Sequence, residues 1–246
     1  MNVAVQLYTL RSLAGQGMAS MLEAVAGLGF AGVELAGLID LSATETAETC
    51  NRLGLVVCGA HVGLDRFESD PEGVARELST LGTSNLVIPW IEPGTPAVSG
   101  AERIAASAAR AIELGLTPHF HNHWFEFDTD ELGDRLWDEI TVIDGLNIEL
   151  DLGWAWTARQ DVPALLWSLA GRLHLAHLKD MRRNDDGPPD TVPLGDGEID
   201  WPSLVPATLD AGADWLIVEQ DHPGDDPVGA VGRSLRYLEP LLASLN

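Results

Sequence analysis

One pattern recurs eight times along the 246 residues: a short, mostly apolar run, then a segment whose apolar residues fall at three- and four-residue spacing. The runs are VAVQLYT (3–9), GVELA (32–36), LVVCGAHV (55–62), NLVIPWI (85–91), LTPHFHNH (116–123), NIELDLG (147–153), LHLAHLKD (173–180) and WLIVEQD (215–221). Runs this short and this continuously apolar suit strands covered on both faces, as in a parallel sheet. Several intervening segments, among them MASMLEAVAGLG, SATETAETCNRLG and PEGVARELSTLG, end in Gly, as helices do when a left-handed residue closes them before a turn. Eight strand–helix units close naturally on themselves. The expected fold is therefore α/β, a single-domain (β/α)8 TIM barrel over residues 1–246, a usual size for that architecture. A doubly wound open sheet would want a glycine-rich phosphate turn after an early strand, and no GxGxxG follows any run.

The formal charge of -24, from 38 acidic against 14 basic residues, repels nucleic acid and anionic membrane. No stretch reaches the roughly 18 apolar residues of a membrane span, and the N-terminus runs straight into a strand pattern without a targeting signature. The expectation is a cytoplasmic protein with a small-molecule partner, compatible with a homo-oligomer. Cys50 and Cys58 lack CxxC spacing and are read as free, buried thiols.

All seven histidines fall on or beside the runs. His61 ends the third, His119, His121 and His123 lie in the fifth, His174 and His177 in the seventh, and His222 just beyond the eighth. Catalytic groups in a barrel of this kind come from the C-terminal ends of the strands, so His174, at the start of its run, belongs to the opposite end. Asp151 closes the sixth run, Glu219 lies at the end of the eighth, and Glu126 follows the fifth. Burying such carboxylates without a cation is costly. Lys179 is the only lysine, two residues after His177 and so on the same side of its strand. It is read as a cation that binds a substrate oxygen or stabilises an enolate. A divalent ion would relieve the convergence of carboxylates. Three carboxylates and one imidazole favour Mn²⁺, with Mg²⁺, Co²⁺ or Zn²⁺ as alternatives. The polar loop from Met181 to Pro193 lies on the same side and is expected to cover the substrate.

The strings QLYTLR, GFAGVELAG, GAHVG, HNHWFEF, ELDLGW, HLKD, PLGDGEIDW and VEQD span essentially the whole chain. Together they resemble the sugar phosphate isomerase/epimerase family, the xylose isomerase-like barrels that include tagatose epimerase-like enzymes, inosose dehydratases and endonuclease IV. The resemblance implies metal ligation by Glu126, Asp151, His177 and Glu219. Many relatives carry a metal-binding glutamate at the end of the fifth strand, where this chain has histidines, so His121 is the alternative to Glu126. With Glu126 on the metal, His123 is left as acid/base. Lys179, Glu126 and Glu219 complete the catalytic set, and Gln6, His61, His121 and Trp154 are assigned to the substrate.

The chemistry implied is proton abstraction next to the carbonyl of a sugar or sugar-like polyol ketone, through an enediolate, giving isomerisation or epimerisation. Loss of a β-substituent would instead make a dehydratase or lyase of the inosose dehydratase or 3-keto-glycoside type. An endonuclease IV-like nuclease would need more metal ligands and a basic groove, against a charge of -24. A non-catalytic sugar-binding protein would need neither the lone lysine nor the carboxylate cluster. With no dense Arg or Gly-rich phosphate cradle, the reading tilts to an unphosphorylated sugar, cyclitol or keto-glycoside.

Overall fold

In the computed structural model, which describes residues 2–184 and 187–245, eight parallel strands close into a barrel. They are β1 (Val3–Gln6), β2 (Gly32–Leu35), β3 (Val56–His61), β4 (Asn85–Ile88), β5 (Thr117–His121), β6 (Asn147–Asp151), β7 (Leu173–Leu178) and, after an inserted ribbon, β10 (Trp215–Val218). Each pairs with its chain neighbour, and β10 closes the ring against β1. The ribbon pairs β8 (Asp180–Arg182) with β9 (Asp190–Val192), antiparallel. Part of the expected covering loop is thus ordered strand; Asp185 and Asp186 within it lie outside the described residues.

The helices begin and end where the sequence signals them. Gly29, Gly54 and Gly82 adopt φ of 98°, 73° and 82° and close the helices Met18–Leu28, Ala43–Leu53 and Pro71–Leu81. Side chains of Asp70, Asp161 and Asp226 cap three helices that carry Pro in the first turn, accepting from backbone N–H groups otherwise left unpaired. Each strand stops before its apolar run does. The surplus residues leave the ladder to enter other elements: Leu7–Gln16 is a 3-10 helix whose N-cap is Gln6, and Leu152–Thr157 is a helix capped by Asp151.

Strand alternation then divides the barrel interior into layers. At the N-terminal end Ala4, Cys58, Val87, Leu175 and Ile217 form a small apolar plug with Trp215 beneath it. Two residues further on, Leu175 gives way to His177, Ile217 to Glu219 and Ala4 to Gln6, and Lys179 and Asp221 follow at the next alternate positions. The closed end excludes water and the open end carries charge. The much larger apolar core lies between strands and helices and contains Phe67, Phe120 and Trp201. Cys50 and Cys58 are free and buried. No described helix is long and apolar enough to cross a membrane.

Candidate active site

At the C-terminal mouth, His121 of β5, Asp151 of β6, His177 of β7 and Glu219, one residue past β10, bring four ligand atoms within 4.8 Å of one another. All four residues are buried. His177 Nδ1 lies 2.9 Å from Glu219 Oε2 and 3.8 Å from Asp151 Oδ2, while His121 Nε2 lies 3.5 Å from Asp151 Oδ2. That His121 nitrogen is buried with no hydrogen-bond partner. An unpaired buried nitrogen is costly, and two imidazoles with two carboxylates are a donor set that suits a divalent transition metal, so these residues fit one. Asn122 ties the ends of β5 and β6 together: its Oδ1 accepts from Asp151 N at 2.9 Å.

Glu126 does not stand in this group. It sits in the short 3-10 turn Phe125–Phe127, where its Oε2 accepts the backbone N–H of His123 at 2.7 Å and its Oε1 lies 3.6 Å from His123 Nδ1. Five residues beyond the end of β5 the chain has entered this turn, and the carboxylate faces the backbone of its own turn. The position at the strand end is filled by His121. His123 itself lies past β5, not within it, and lines the cavity above the four ligands.

A second polar layer lies beneath, and its carboxylates escaped the sequence reading. Glu34 of β2 and Glu149 of β6 are fully buried. Glu34 Oε2 lies 2.7 Å from His177 Nε2, 2.8 Å from Gln6 Nε2 and 3.2 Å from His61 Nε2. Glu149 Oε2 lies 2.9 Å from His61 Nε2 and 3.4 Å from His177 Nε2. Both glutamates interrupt apolar runs, the same signal that singled out Asp151. Gln6, expected at the substrate, uses both ends of its amide within the protein: Nε2 donates to Glu34, and Oε1 accepts from Tyr8 N at 3.1 Å.

Lys179 is 1% exposed, and its Nζ meets Asp151 Oδ2 at 2.9 Å, Glu219 Oε2 at 3.0 Å and Asp221 Oδ2 at 2.8 Å. Three carboxylates therefore engage its three donors, and the Trp154 ring lies 4.6 Å away. Trp154, also expected at the substrate, is not among the residues that line the cavity and packs against Trp124, ring centres 4.8 Å apart. His61 and His121 do line the cavity, which measures about 490 Å³ and is walled by Tyr8, Trp90 and His123 among others. His174, paired with Asp214 at 2.9 Å, is at the far end of its strand. His222 lies outside, with its backbone N–H donating to Thr191.

At the start of the ribbon, Asp180 explains the PLGDGEIDW string. Its carboxylate accepts from the backbone N–H groups of Met181, Gly195, Gly197 and Ile199 at 2.9, 2.8, 3.0 and 3.3 Å. Gly195 has φ of 89°, and a Cβ at Gly197 would collide with that carboxylate. The loop is a backbone cradle already filled by the protein's own acid.

Charge sets the protonation of the group. Among the described residues of the cavity floor, Glu34, Glu149, Asp151, Glu219 and Asp221 face one permanent cation, Lys179. Burial opposes ionisation of Asp151, but Lys179 and the imidazoles hold its carboxyl at about 2; Lys179 and His177 likewise keep Glu219 well below the usual range. Burial and the charge of Glu34 push Glu149 up to about 8. Glu34 is itself held low against burial by His61 and His177. His121, buried beside His177, falls to about 3 and is neutral, as a ligand must be. Burial disfavours charge on His177, yet Glu149 and Glu219 raise it well above the ordinary value.

In shape the chain is similar to a sugar phosphate isomerase/epimerase from Parabacteroides distasonis ATCC 8503, with a TM-score of 0.82 and 17% identity over 96% of this chain and 97% of that one. It is also similar to a probable 3-DHS dehydratase involved in petrobactin synthesis from Bacillus anthracis (TM-score 0.75, 13% identity, 97% and 98% covered). An L-ribulose 3-epimerase superposes with a TM-score of 0.73 at 16% identity, covering 99% of this chain and 95% of that one. At these identities the likeness concerns the fold. No curated protein matches the chain in sequence. Residues 96–241, more than half of the chain and including His121, Asp151, His177 and Glu219, match the family described as xylose isomerase-like TIM barrel, and the chain belongs to that family.

Proposed function

We propose that this chain is a divalent-metal-dependent isomerase or epimerase that moves a proton on the carbon beside a carbonyl of a neutral, sugar-like polyol. The observation that carries the reading is the convergence of His121, Asp151, His177 and Glu219 under a cavity that His123 also lines. These four residues would hold the ion. The two imidazoles move the preference from Mg²⁺ toward Mn²⁺, Co²⁺ or Zn²⁺. When bound, a divalent cation supplies Lewis acidity to a substrate carbonyl or hydroxyl oxygen.

The chain's own residues do the rest. His123 Nδ1 is buried against Glu126, which leaves Nε2 as the atom that takes the carbon-bound proton; Glu126 steadies the ring from behind. His61, the other cavity-lining imidazole beside His121, is placed to return a proton at a second position. The same two proton carriers would serve the loss of a β-hydroxyl or β-alkoxyl, and a dehydratase or lyase is the second reading. Lys179 acts on the ligands rather than on the substrate, since its donors are already engaged by Asp151, Glu219 and Asp221.

Incubation in D₂O with Mn²⁺ and a panel of ketoses, 3-keto-sugars and inososes tests the reading, since label incorporation marks the acidic carbon even without net conversion. His123→Asn should keep the metal and lose exchange by about 10²- to 10⁴-fold, the usual contribution of a positioned acid/base group. Exchange at the wild-type rate in that variant would remove His123 from the mechanism. A phosphorylated substrate would meet the carboxylates of a cavity whose described lysine, Lys179, is already engaged by Asp151, Glu219 and Asp221. Phosphorylated members of the panel should therefore exchange at least about tenfold more slowly than their neutral counterparts, the effect of about 1.4 kcal/mol. Faster exchange of the phosphates would overturn the neutral-substrate assignment.

A further inference from the structure

We propose that Glu34 is a positioning residue of the metal centre: it holds the Nε2 edge of His177, so that the Nδ1 edge is turned to His121, Asp151 and Glu219. The inference rests on the metal reading above and concerns what sets the ligand's orientation. A neutral imidazole carries one N–H, and the nitrogen that keeps it leaves the other with a lone pair. A carboxylate 2.7 Å from Nε2 accepts a hydrogen bond from an N–H kept on that nitrogen, and Nδ1 is left to ligate. Glu149 is further from that nitrogen, at 3.4 Å, and closer to His61, at 2.9 Å. The two acids thus divide the work, Glu34 for His177 and Glu149 for His61. Gln6 Nε2, 2.8 Å away, steadies the Glu34 oxygen that both imidazoles share.

The backbone is shaped for this arrangement. Among the described residues, the barrel ladder shifts register at two places, Val33/Glu34 and Ile148/Glu149, each immediately before one of these acids. Such irregularities re-aim a side chain without ending the strand. The residue opposite Glu34 is Gly59, where a Cβ would lie 2.8 Å from Glu34 Oε1. A buried carboxylate is an expensive filler, and an apolar side chain would occupy the same volume at less cost. What the acid adds is a directed acceptor under His177.

Glu34→Gln tests the role. Its amide presents an acceptor to one imidazole edge and N–H donors toward the other. Expected are a cooperative melt, Mn²⁺ affinity weaker by about 10- to 100-fold, and a shifted visible band of the Co²⁺-loaded protein. An unchanged Mn²⁺ dissociation constant with an unchanged Co²⁺ band would overturn the inference while leaving the metal reading intact. Wild-type protein that binds neither ion would overturn the metal reading and this inference with it. Should the variant not fold, imidazole ¹⁵N spectra of Zn²⁺-loaded wild type decide the question. Nε2 of His177 protonated and Nδ1 on the metal is the expected pattern, and metal on Nε2 overturns it.

Discussion

His121→Ala is expected to bind Mn²⁺ at least about 10²-fold more weakly than wild type, whereas Glu126→Gln should bind it nearly as well. Loss of a direct ligand should exceed the 10- to 100-fold cost of losing an outer partner. His121 Nε2 is buried without a hydrogen-bond partner, and it faces Asp151 Oδ2 among the converging ligand atoms. Glu126 is committed to the backbone N–H of His123, and Gln keeps an oxygen there to accept it. Calorimetric titration of both variants, with circular dichroism to confirm folding, reads the comparison directly. Should Glu126→Gln lose the ion and His121→Ala keep it, ligation returns to Glu126. In wild type the ion must displace a proton from His177, whose proton affinity is raised by Glu149 and Glu219. Apparent affinity should therefore fall as pH drops, by at most tenfold per unit for that single proton, and a flat profile would contradict ligation by His177.

The second large effect is on stability. Lys179→Met should destabilise the metal-free protein by about 3–5 kcal/mol, the scale of stripping one partner from a buried charge network. Asp151, Glu219 and Asp221 would be left facing one another without the cation that now sits 2.8 to 3.0 Å from each. At roughly 2–4 °C per kcal/mol for a domain of this size, the melting temperature should fall by about 6–20 °C. Saturating Mn²⁺ should recover much of the loss, because an ion present at 100 to 1,000 times its dissociation constant returns about 2.7–4.1 kcal/mol. Lys179→Arg should substitute poorly, since a planar fork cannot place a compact charge among three converging oxygens. Scanning calorimetry with and without the ion measures both effects. A metal-free Lys179→Met protein melting within about 2 °C of wild type would show that the lysine does not hold the carboxylates.

Much of the architecture was legible because burial on both faces leaves a local trace. Eight apolar runs stand where eight barrel strands form, and the glycines after three helices adopt the left-handed turn their positions suggested. The mouth was legible for a related reason. A histidine or acid that interrupts an apolar run must be compensated, and His61, His121, Asp151, His177 and Glu219 converge there. The ends of the strands were overextended, since the residues that line the cavity are as apolar in sequence as those in the ladder: Pro89 and Trp90 continue the run of β4 but belong to the wall.

Partnership across the ring lay beyond local pattern. Glu34 and His177 are 143 residues apart and meet only because the sheet closes, with register shifts that no periodicity announces. Glu126 lies three residues from His123, yet its orientation follows from a tight turn that directs the acid toward its own backbone. The uniqueness of Lys179 marked it in the sequence, but only the fold shows that its neighbours are three acids, one at the end of β6 and two just past β10. Spacing thus marked His61, His121, Asp151, His177, Lys179 and Glu219 as groups of the mouth, but not Glu34 and Glu149 beneath them. Closure of the barrel decided which carboxylate faces which imidazole, because hydrogen bonds over 2.7 to 2.9 Å depend on strand register and turn direction, and both are properties of the assembled sheet.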